Sequence, residues 1–441
     1  MRRARAGVAR VVVALGLVAA ACGCGGSAGG GNVSILVAWS GAELKAFQSV
    51  VAAFDKSYRV DVQVEPTRAL TQELGADLAG GDPPDVAALP SIGAIGQYAR
   101  DGELKPLDGL VDTAEYGSPW SDLMRPLGGR HVYTVPVKAD VKSLVWYDPA
   151  MFRGREVPTT WPRLLAFDRT IESAGGSPWC LALSSPPTSG WPGTDWIADI
   201  LLSKYGPQTY QNWVSGRLPW TSGPVERSWL LWGQLVGGGS AIYHGRDAAL
   251  VAGVGSVYPR PGRCYLQHGT LVDEGFPANR EGQPAWQGTD FGSFPFPSLG
   301  AAAPGAIQVS ADFIGMFHDT PQARELIRYL ASAQGQKEWV HYAGGDGFSA
   351  DARVPVSAYP NAATKKIAAL LTSGDRRELC FGASDAMSPD LSAAFDQAIL
   401  EYLADPTALV STILPELAKV PPGAGRPPAV CGMQAPPRGR Q

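Results

Sequence analysis

The chain has 441 residues, a length that corresponds to roughly two or three domains and excludes a small disulfide-stabilised scaffold. Its 37 basic and 41 acidic side chains leave a formal charge of -4, which argues against a protein that binds nucleic acid through bulk charge. The 13 Trp and 14 Tyr are a more informative excess, since flat rings with one polar edge are good platforms for ligands with a flat apolar face.

The first thirty residues predict export and processing. Arginines lead into the apolar run 11–21, which is well short of the ~20 residues of a membrane-spanning helix and ends in small residues before Cys22. This pattern predicts a signal peptide at 1–21 and resembles the lipobox of bacterial lipoproteins, although Ala19 stands where Leu or Val is preferred and Cys24 offers a competing site. Residues 22–32, rich in Gly and Ser, predict a flexible tether. We therefore expect a protein that lipid on Cys22 anchors to the cell membrane, on its extracellular face.

Four cysteines remain after the tether, and they predict disulfides rather than a metal site. No Cys-x-x-Cys or His-x-x-x-His spacing accompanies them, and thiols of exported chains are usually oxidised. Four thiols allow three pairings, among which the sequence alone does not choose. We take Cys180 with Cys264 and Cys380 with Cys431 as the working pairing, because the second bridge would hold a proline-rich tail. Residues 432–441 are expected to be disordered.

Residues 33–89 alternate between strand-like and helix-like patterns. Three apolar, β-prone runs are separated by two segments whose apolar residues recur at helical spacing. This βαβαβ order predicts a parallel sheet with right-handed crossovers, and ligands of such sheets bind beyond the carboxyl ends of the strands. Neither loop there carries a phosphate-cradling glycine pattern. The candidate ligand-binding residues of these loops are Trp39, Ser40, Glu43, Pro90 and Ser91, and either serine could equally cap the helix that follows it.

The run 132–147 is strand-like but carries three charges, Lys138, Asp140 and Lys142. Burying charges costs several kcal/mol unless they are paired or face a cavity. Two interpretations are open, a salt-bridged edge strand and a strand that crosses between two lobes with its charged side chains toward a cleft. We favour the second, and we expect Lys142 to pair with Asp140 or another acid rather than to contact the ligand.

Two tryptophan-rich segments indicate carbohydrate recognition. Ser177-Pro-Trp-Cys180 is followed by Gly-Trp-Pro-Gly-Thr-Asp-Trp at 190–196, which we interpret as a turn before a helix at 197–202. A sugar has hydroxyls at its rim and C–H groups on its face, so its recognition needs stacking aromatics together with carboxylates or amides. The candidates are Trp179, Trp191, Thr194 and Asp195, whereas Trp196 is expected in the core.

Five strings carry a family resemblance. They are Trp-Ser-Gly-Ala-Glu at 39–43, Gly-Asp-Pro-Pro-Asp-Val-Ala at 81–87, Leu-Pro-Ser at 89–91, Val-Pro-Val-Lys-Ala-Asp-Val-Lys-Ser-Leu-Val-Trp-Tyr at 135–147 and the string at 190–196. Together they resemble the extracellular solute-binding proteins (family 1) of bacterial ABC importers, and more narrowly their α-glucoside and maltose-type sugar-binding lipoproteins.

The resemblance implies an α/β, two-lobe periplasmic-binding-protein-like fold of type II. Each lobe would be a mixed sheet flanked by helices, and a three-segment hinge would let the lobes close on the ligand. The lobes implied for this chain are 33–138 plus 300–345, and 139–299 plus 346–431.

The resemblance also implies a function. Asp140 occupies the position of a ligand-binding acid, and His268, Gly345, Phe348 and Asp385 match cleft-facing loops, although His268 could equally be structural. The protein would be a monomeric binding protein without catalytic residues, cofactor or metal. It would capture a sugar, an α-glucoside or other oligosaccharide, deliver it to the transmembrane subunits of an ABC permease, and bind no nucleic acid. Two alternatives stay open, an exported glycoside hydrolase and a binding protein for a non-sugar solute such as a glycerophosphodiester.

Overall fold

The computed structural model describes residues 31–270, 291–300, 305–343, 347–372, 377–424 and 428–433. The expected signal peptide with Cys22, nearly all of the tether, Gly345 and the tail beyond 433 lie outside the described residues. Within the described ranges, no helix combines the length and the apolar character that a membrane span needs.

Two sheets organise the fold. The strands are β1 (Asn32–Val37), β2 (Asp61–Pro66), β3 (Val86–Leu89), β4 (Thr134–Val141), β5 (Leu144–Tyr147), β6 (Ser177–Trp179), β7 (Cys264–His268), β8 (Gly292–Pro295), β9 (Ile307–Met316), β10 (Glu378–Phe381) and β11 (Cys431–Met433). The larger, 7-stranded sheet runs β11-β10-β9-β3-β1-β2, with β4 paired to β9, and the smaller, 4-stranded sheet runs β6-β7-β5-β8. β1 is parallel to β2 and β3, as the βαβαβ pattern predicts, whereas β4 and β9 are antiparallel.

Helices cover both sheets and complete two α/β lobes. They are α1 (Gly41–Tyr58), α2 (Leu70–Gly80), α3 (Ile92–Arg100), α4 (Trp120–Leu123), α5 (Trp161–Ser173), α6 (Trp191–Val214), α7 (Gly223–Val236), α8 (Arg246–Val251), α9 (Pro321–Leu330), α10 (Ala333–Ala343), α11 (Ala362–Leu371), α12 (Ala383–Ala386), α13 (Pro389–Ala404) and α14 (Leu414–Leu417). In α1 the buried residues Phe47, Val50, Val51 and Phe54 recur at helical spacing and face the first lobe's core. α5 packs on β6, and α6 packs with α7 and α13 in the second lobe.

The chain passes between the lobes at three places. Lys142 and Ser143 join β4 of the larger sheet to β5 of the smaller one, β8 leads back to β9, and β10 leads to α12 and α13. The predicted second lobe includes all of 346–431, but β10 and β11 lie in the larger sheet. The reason is that the chain after 347 first returns to β4, where the backbone N–H of Phe348 donates to Ala139 at 3.1 Å. The other predicted lobe boundaries stay a proposal.

Two local predictions differ from the structure, whereas the predicted pairing of the cysteines is confirmed. The expected strand 132–147 is divided into β4 and β5 by the interlobe crossing. Helix α6 begins at Trp191 instead of 197, because Gly190 adopts a left-handed φ of 109° and Pro192 occupies the first turn. The disulfides are Cys180–Cys264 and Cys380–Cys431, the predicted pairing.

Candidate ligand-binding site between the lobes

A stripe of polar side chains runs along one face of β4 and β9. Alternate residues of a strand share a face, so Lys138 and Asp140 lie on the same side of β4. The register places Asp312 opposite Lys138 and Ser310 opposite Asp140. All four side chains are only partly buried, unlike their neighbours on the other face. Two of the three charges of the predicted strand, Lys138 and Asp140, therefore lie on the partly exposed face of this sheet, next to Asp312 and Ser310.

Lys138 lies among three acids, and we call Glu43, Lys138, Asp140 and Asp312 together the Lys138 cluster. Its ammonium contacts Glu43 from the first turn of α1 and lies 3.1 Å from Asp140 Oδ2. Asp312 accepts a 2.9 Å hydrogen bond from the indole N–H of Trp39. Burial raises the pKa of Glu43 to about 7 and also raises the pKa values of Asp140 and Asp312. The cluster is rich in acceptors that are costly to keep ionised.

Lys142 forms a second ion-paired group, the Lys142 cluster of Lys142, Asp195 and Asp385. Its Nζ lies 2.9 Å from Asp195 Oδ1 at the start of α6 and 2.8 Å from Asp385 Oδ2 on α12. The backbone of Gly382 packs directly against this cluster, because a Cβ at this position would lie 2.5 Å from Asp385 Oδ2. Although burial alone would lower the pKa of Lys142, the two carboxylates raise it above its ordinary value. As expected, Lys142 pairs with acids, but not with Asp140.

Trp191 lies beside this cluster. Its ring centroid is 5.7 Å from Lys142 Nζ, and the residue is partly exposed at the first turn of α6. Asp195, one turn further on, is 2% exposed, and burial raises its pKa to about 6 despite the lysine. We call the Lys138 cluster, the Lys142 cluster and Trp191 together the interlobe site.

A buried polar chain supports the crossing behind this site. Ser143 donates its hydroxyl proton to Asp199 on α6, and the other oxygen of Asp199 lies 2.7 Å from Nε2 of His268. The imidazole packs against Trp196, with ring centroids 4.2 Å apart. The side chain of His268 is fully buried, so the structure supports the structural reading of this histidine rather than ligand contact.

The remaining predicted site residues divide into core and surface positions. Trp179 is 2% exposed, and its indole N–H donates to Asp168, so its ring is not available for stacking. Trp39 packs against Phe47 and Trp339 and reaches the site only through its N–H. Both rings therefore belong to the hydrophobic core and not to the surface of the site.

The polar candidates follow the same division. Ser91 caps α3 by accepting from the N–H of Ala94, and Thr194 donates to the carbonyl of Trp191. Ser40 precedes α1 and accepts from Arg68 at 3.4 Å, and Pro90 is exposed. Phe348 is buried and stacks on Tyr359. The structure therefore brings together Glu43, Asp140, Trp191, Asp195 and Asp385 of the predicted set.

Sequence reasoning missed two acids. Asp312 interrupts the apolar run of β9, which is the same signal that drew attention to β4. Asp396 lies on the buried side of α13, and its Oδ1 lacks a hydrogen-bond partner among the described residues. Burial and the neighbouring Asp385 and Asp195 raise the pKa of Asp396 to about 8.

Replacing Asp396 with asparagine is expected to stabilise the protein at high pH. The folded carboxyl keeps its proton up to a pKa of about 8, whereas in the unfolded chain it releases the proton from a pKa of roughly 3.9. Between these values the wild type loses stability as pH rises, by at most about 1.4 kcal/mol per pH unit, and Asp396→Asn does not. Urea unfolding at about pH 4 and about pH 8 measures the difference. The exposed Asp390→Asn on the same helix is the control, and parallel pH profiles for Asp396→Asn and wild type would contradict the prediction.

Comparison with known proteins identifies the family. The family model described as bacterial extracellular solute-binding protein matches residues 38–239. The osmoprotective compounds-binding protein GgtB of Synechocystis sp. is 31% identical over 396 residues, which cover 87% of this chain and 91% of GgtB. The chain belongs to the bacterial extracellular solute-binding proteins. Because the family and this relative are solute-binding proteins, the chain is a binding protein and not an enzyme.

One further relative and one solved structure are also similar to this chain. The alpha-glucosides-binding periplasmic protein AglE of Rhizobium meliloti is 32% identical over 329 residues, 70% of each chain. The crystal structure of the bacterial solute receptor AcbH superposes with a TM-score of 0.74 at 19% identity, over 89% of this chain and 98% of AcbH. At 19% identity, the similarity to AcbH shows the fold alone. This fold is the expected two-lobe periplasmic-binding-protein fold.

Proposed function

We propose that this protein is the binding component of an ABC importer and captures a sugar in the interlobe site. The observation that carries the proposal is the composition of that site: carboxylates on both sides of the lobe junction, with the ring of Trp191 beside them. Ionised carboxylates accept hydrogen bonds only, and a sugar presents a rim of hydroxyl donors. The indole ring suits the C–H face of the same ligand.

The names of the relatives support this choice. AglE is named for α-glucosides and GgtB for osmoprotective compounds, and the two align with 70% and 87% of this chain. An α-glucoside or another oligosaccharide is therefore the first ligand class to test. Osmoprotective compounds are the second ligand class to test, because the alignment with GgtB covers most of this chain.

The proposed setting is the extracellular face of the cell membrane. Lipid on Cys22 would hold the mature chain through its glycine-rich tether, and the bound sugar would pass to the transmembrane subunits of the permease. We propose that the protein acts as a monomer, with the two lobes closing on the ligand about the three crossings.

Replacing Trp191 or Asp140 with alanine is expected to weaken sugar binding by roughly 2 kcal/mol or more. Each variant removes one half of the recognition chemistry, the apolar face in Trp191→Ala and the hydroxyl acceptor in Asp140→Ala. Isothermal titration calorimetry of the purified mature protein against maltose, trehalose, galactose and longer α-glucosides provides the affinities. Bound ligand should also raise the Tm by linkage.

The matched controls are the exposed Tyr342→Ala and Asp319→Ala, which lie on α10 and just before α9. They should bind as the wild type does. Unchanged affinity in both site variants, with wild-type unfolding curves, would refute the proposed site. Absence of binding to every sugar of the panel would refute the proposed ligand class.

A further inference from the structure

Among the residues that the structure describes, acids outnumber cations at the interlobe site. Around Lys138 lie Glu43, Asp140 and Asp312, and around Lys142 lie Asp195 and Asp385. Burial raises the pKa values of Asp140 and Asp312, but the charge of Lys142 also acts on both acids and lowers these values, so the two clusters interact electrostatically. When all these carboxyls are ionised, the site carries more negative than positive charge.

Both lysines are already committed to carboxylates of the protein. Lys142 contacts two of them at 2.8 and 2.9 Å, and it is 7% exposed at its side chain. Lys138 contacts Glu43 and lies 3.1 Å from Asp140. A phosphate or carboxylate group of a ligand that approached either lysine would also come close to these carboxylates, and like charges in a buried place repel.

Two acceptor oxygens near Lys142 and Asp385 have no donor among the described residues. Asp195 Oδ2 and Asp396 Oδ1 are buried and have no hydrogen-bond partner among the described residues, and the two residues are 2% and 7% exposed. Each acid lies close enough to Asp385 and Lys142 for their charges to shift its pKa. Buried carboxyl oxygens that lack a donor are matched by O–H or N–H groups of a ligand, which an ionised carboxylate or phosphate dianion does not supply.

We propose that the interlobe site selects its solute by charge: it accepts polyhydroxylated solutes that are neutral or carry a protonated amine, and it rejects solutes that carry phosphate or carboxylate. The inference rests on the proposed sugar-binding function and narrows its ligand class. The raised pKa values of Glu43, Asp195 and Asp396, for which burial is the largest cause, agree with this charge preference, since neighbouring acids raise them further. A glycerophosphodiester is thereby disfavoured as a ligand.

Matched ligand pairs test the inference. Calorimetry compares maltose with maltose 6′-phosphate, trehalose with trehalose 6-phosphate, and galactose with galactose 6-phosphate, and trehalosamine supplies the amine. In each pair that binds, the neutral sugar should bind at least ~100-fold more tightly than its phosphate. If trehalose binds, trehalosamine should bind at least as tightly as trehalose. Raising the salt concentration should narrow the difference, since it screens charge.

A charge variant separates this inference from simple steric exclusion. Asp312→Asn keeps the shape of the site and removes one negative charge, so the preference for the neutral ligand should fall by about 10-fold. Glu416→Gln, which changes an exposed ion pair on α14, is the control and should leave the preference unchanged. Equal affinity within a pair, or tighter binding of the phosphate, would overturn charge selection while leaving sugar binding intact. If no member of any pair binds, the proposed function itself fails, and charge selection with it.

Discussion

Replacing Lys142 with methionine is expected to lower the free energy of unfolding by about 3 to 5 kcal/mol. The methionine fills similar space but leaves Asp195 and Asp385 without their cation, and Asp195 is 2% exposed. Removing one partner of a buried pair leaves an uncompensated charge, which is the costly part of the change. Because Lys142 lies in the first crossing between the lobes, sugar binding should weaken as well. Urea unfolding followed by tryptophan fluorescence gives the stability.

The neutral combination Lys142→Met with Asp195→Asn and Asp385→Asn should recover most of the lost stability, since it removes the unpaired charges. Lys419→Met is the matched control, because Lys419 forms an exposed pair with Glu416 whose loss should change stability by less than about 1 kcal/mol. A Lys142→Met protein as stable as wild type, or a triple variant no more stable than the single one, would show that unpaired buried charge is not what destabilises the protein.

Removing the Cys380–Cys431 disulfide, by replacing both cysteines with alanine, is expected to cost roughly 4 kcal/mol in the chain-entropy account. The bridge closes a loop with a sequence separation of 51 residues. It joins directly opposed residues of β10 and β11, and β11 is a strand of three residues at the edge of the larger sheet. So short a strand has few backbone hydrogen bonds of its own, so the covalent link should decide whether it stays paired.

Hydrogen exchange locates the effect of this change. The backbone N–H groups of Phe381 and Val430, which donate at 2.7 Å to the carbonyl of Val430 and to the side chain of Gln211, should lose protection when the bridge is absent. The double variant of Cys180 and Cys264, whose sequence separation is 84, is the control, and it should destabilise the second lobe without exposing these two groups. Retained protection of Val430 together with an unchanged unfolding midpoint would contradict the expectation.

Much of the fold was predictable from local pattern. The βαβαβ order of 33–89 follows from apolar periodicity, which reports the two faces of a strand and the one face of a helix directly. The start of α6 at Trp191 was missed because Gly and Pro usually mark turns, and here they fit the first turn of a helix. The return of β10 and β11 to the larger sheet could not be predicted, since no local pattern states which strand a distant strand will pair with.

The sequence by itself determined the family, the parallel βαβαβ unit and the unusual charges of β4, because each of these depends only on residues close together in the chain. Tertiary structure decided which tryptophan borders the site. Trp39, Trp179 and Trp191 look alike in sequence, but the first two are buried and their indole N–H groups donate to Asp312 and Asp168, whereas Trp191 alone of the three stays partly exposed. It also decided the partners of Lys142, which come from α6 and α12, far away along the chain. Burial and ion pairing depend on which elements meet at the lobe junction, and only the folded chain establishes that.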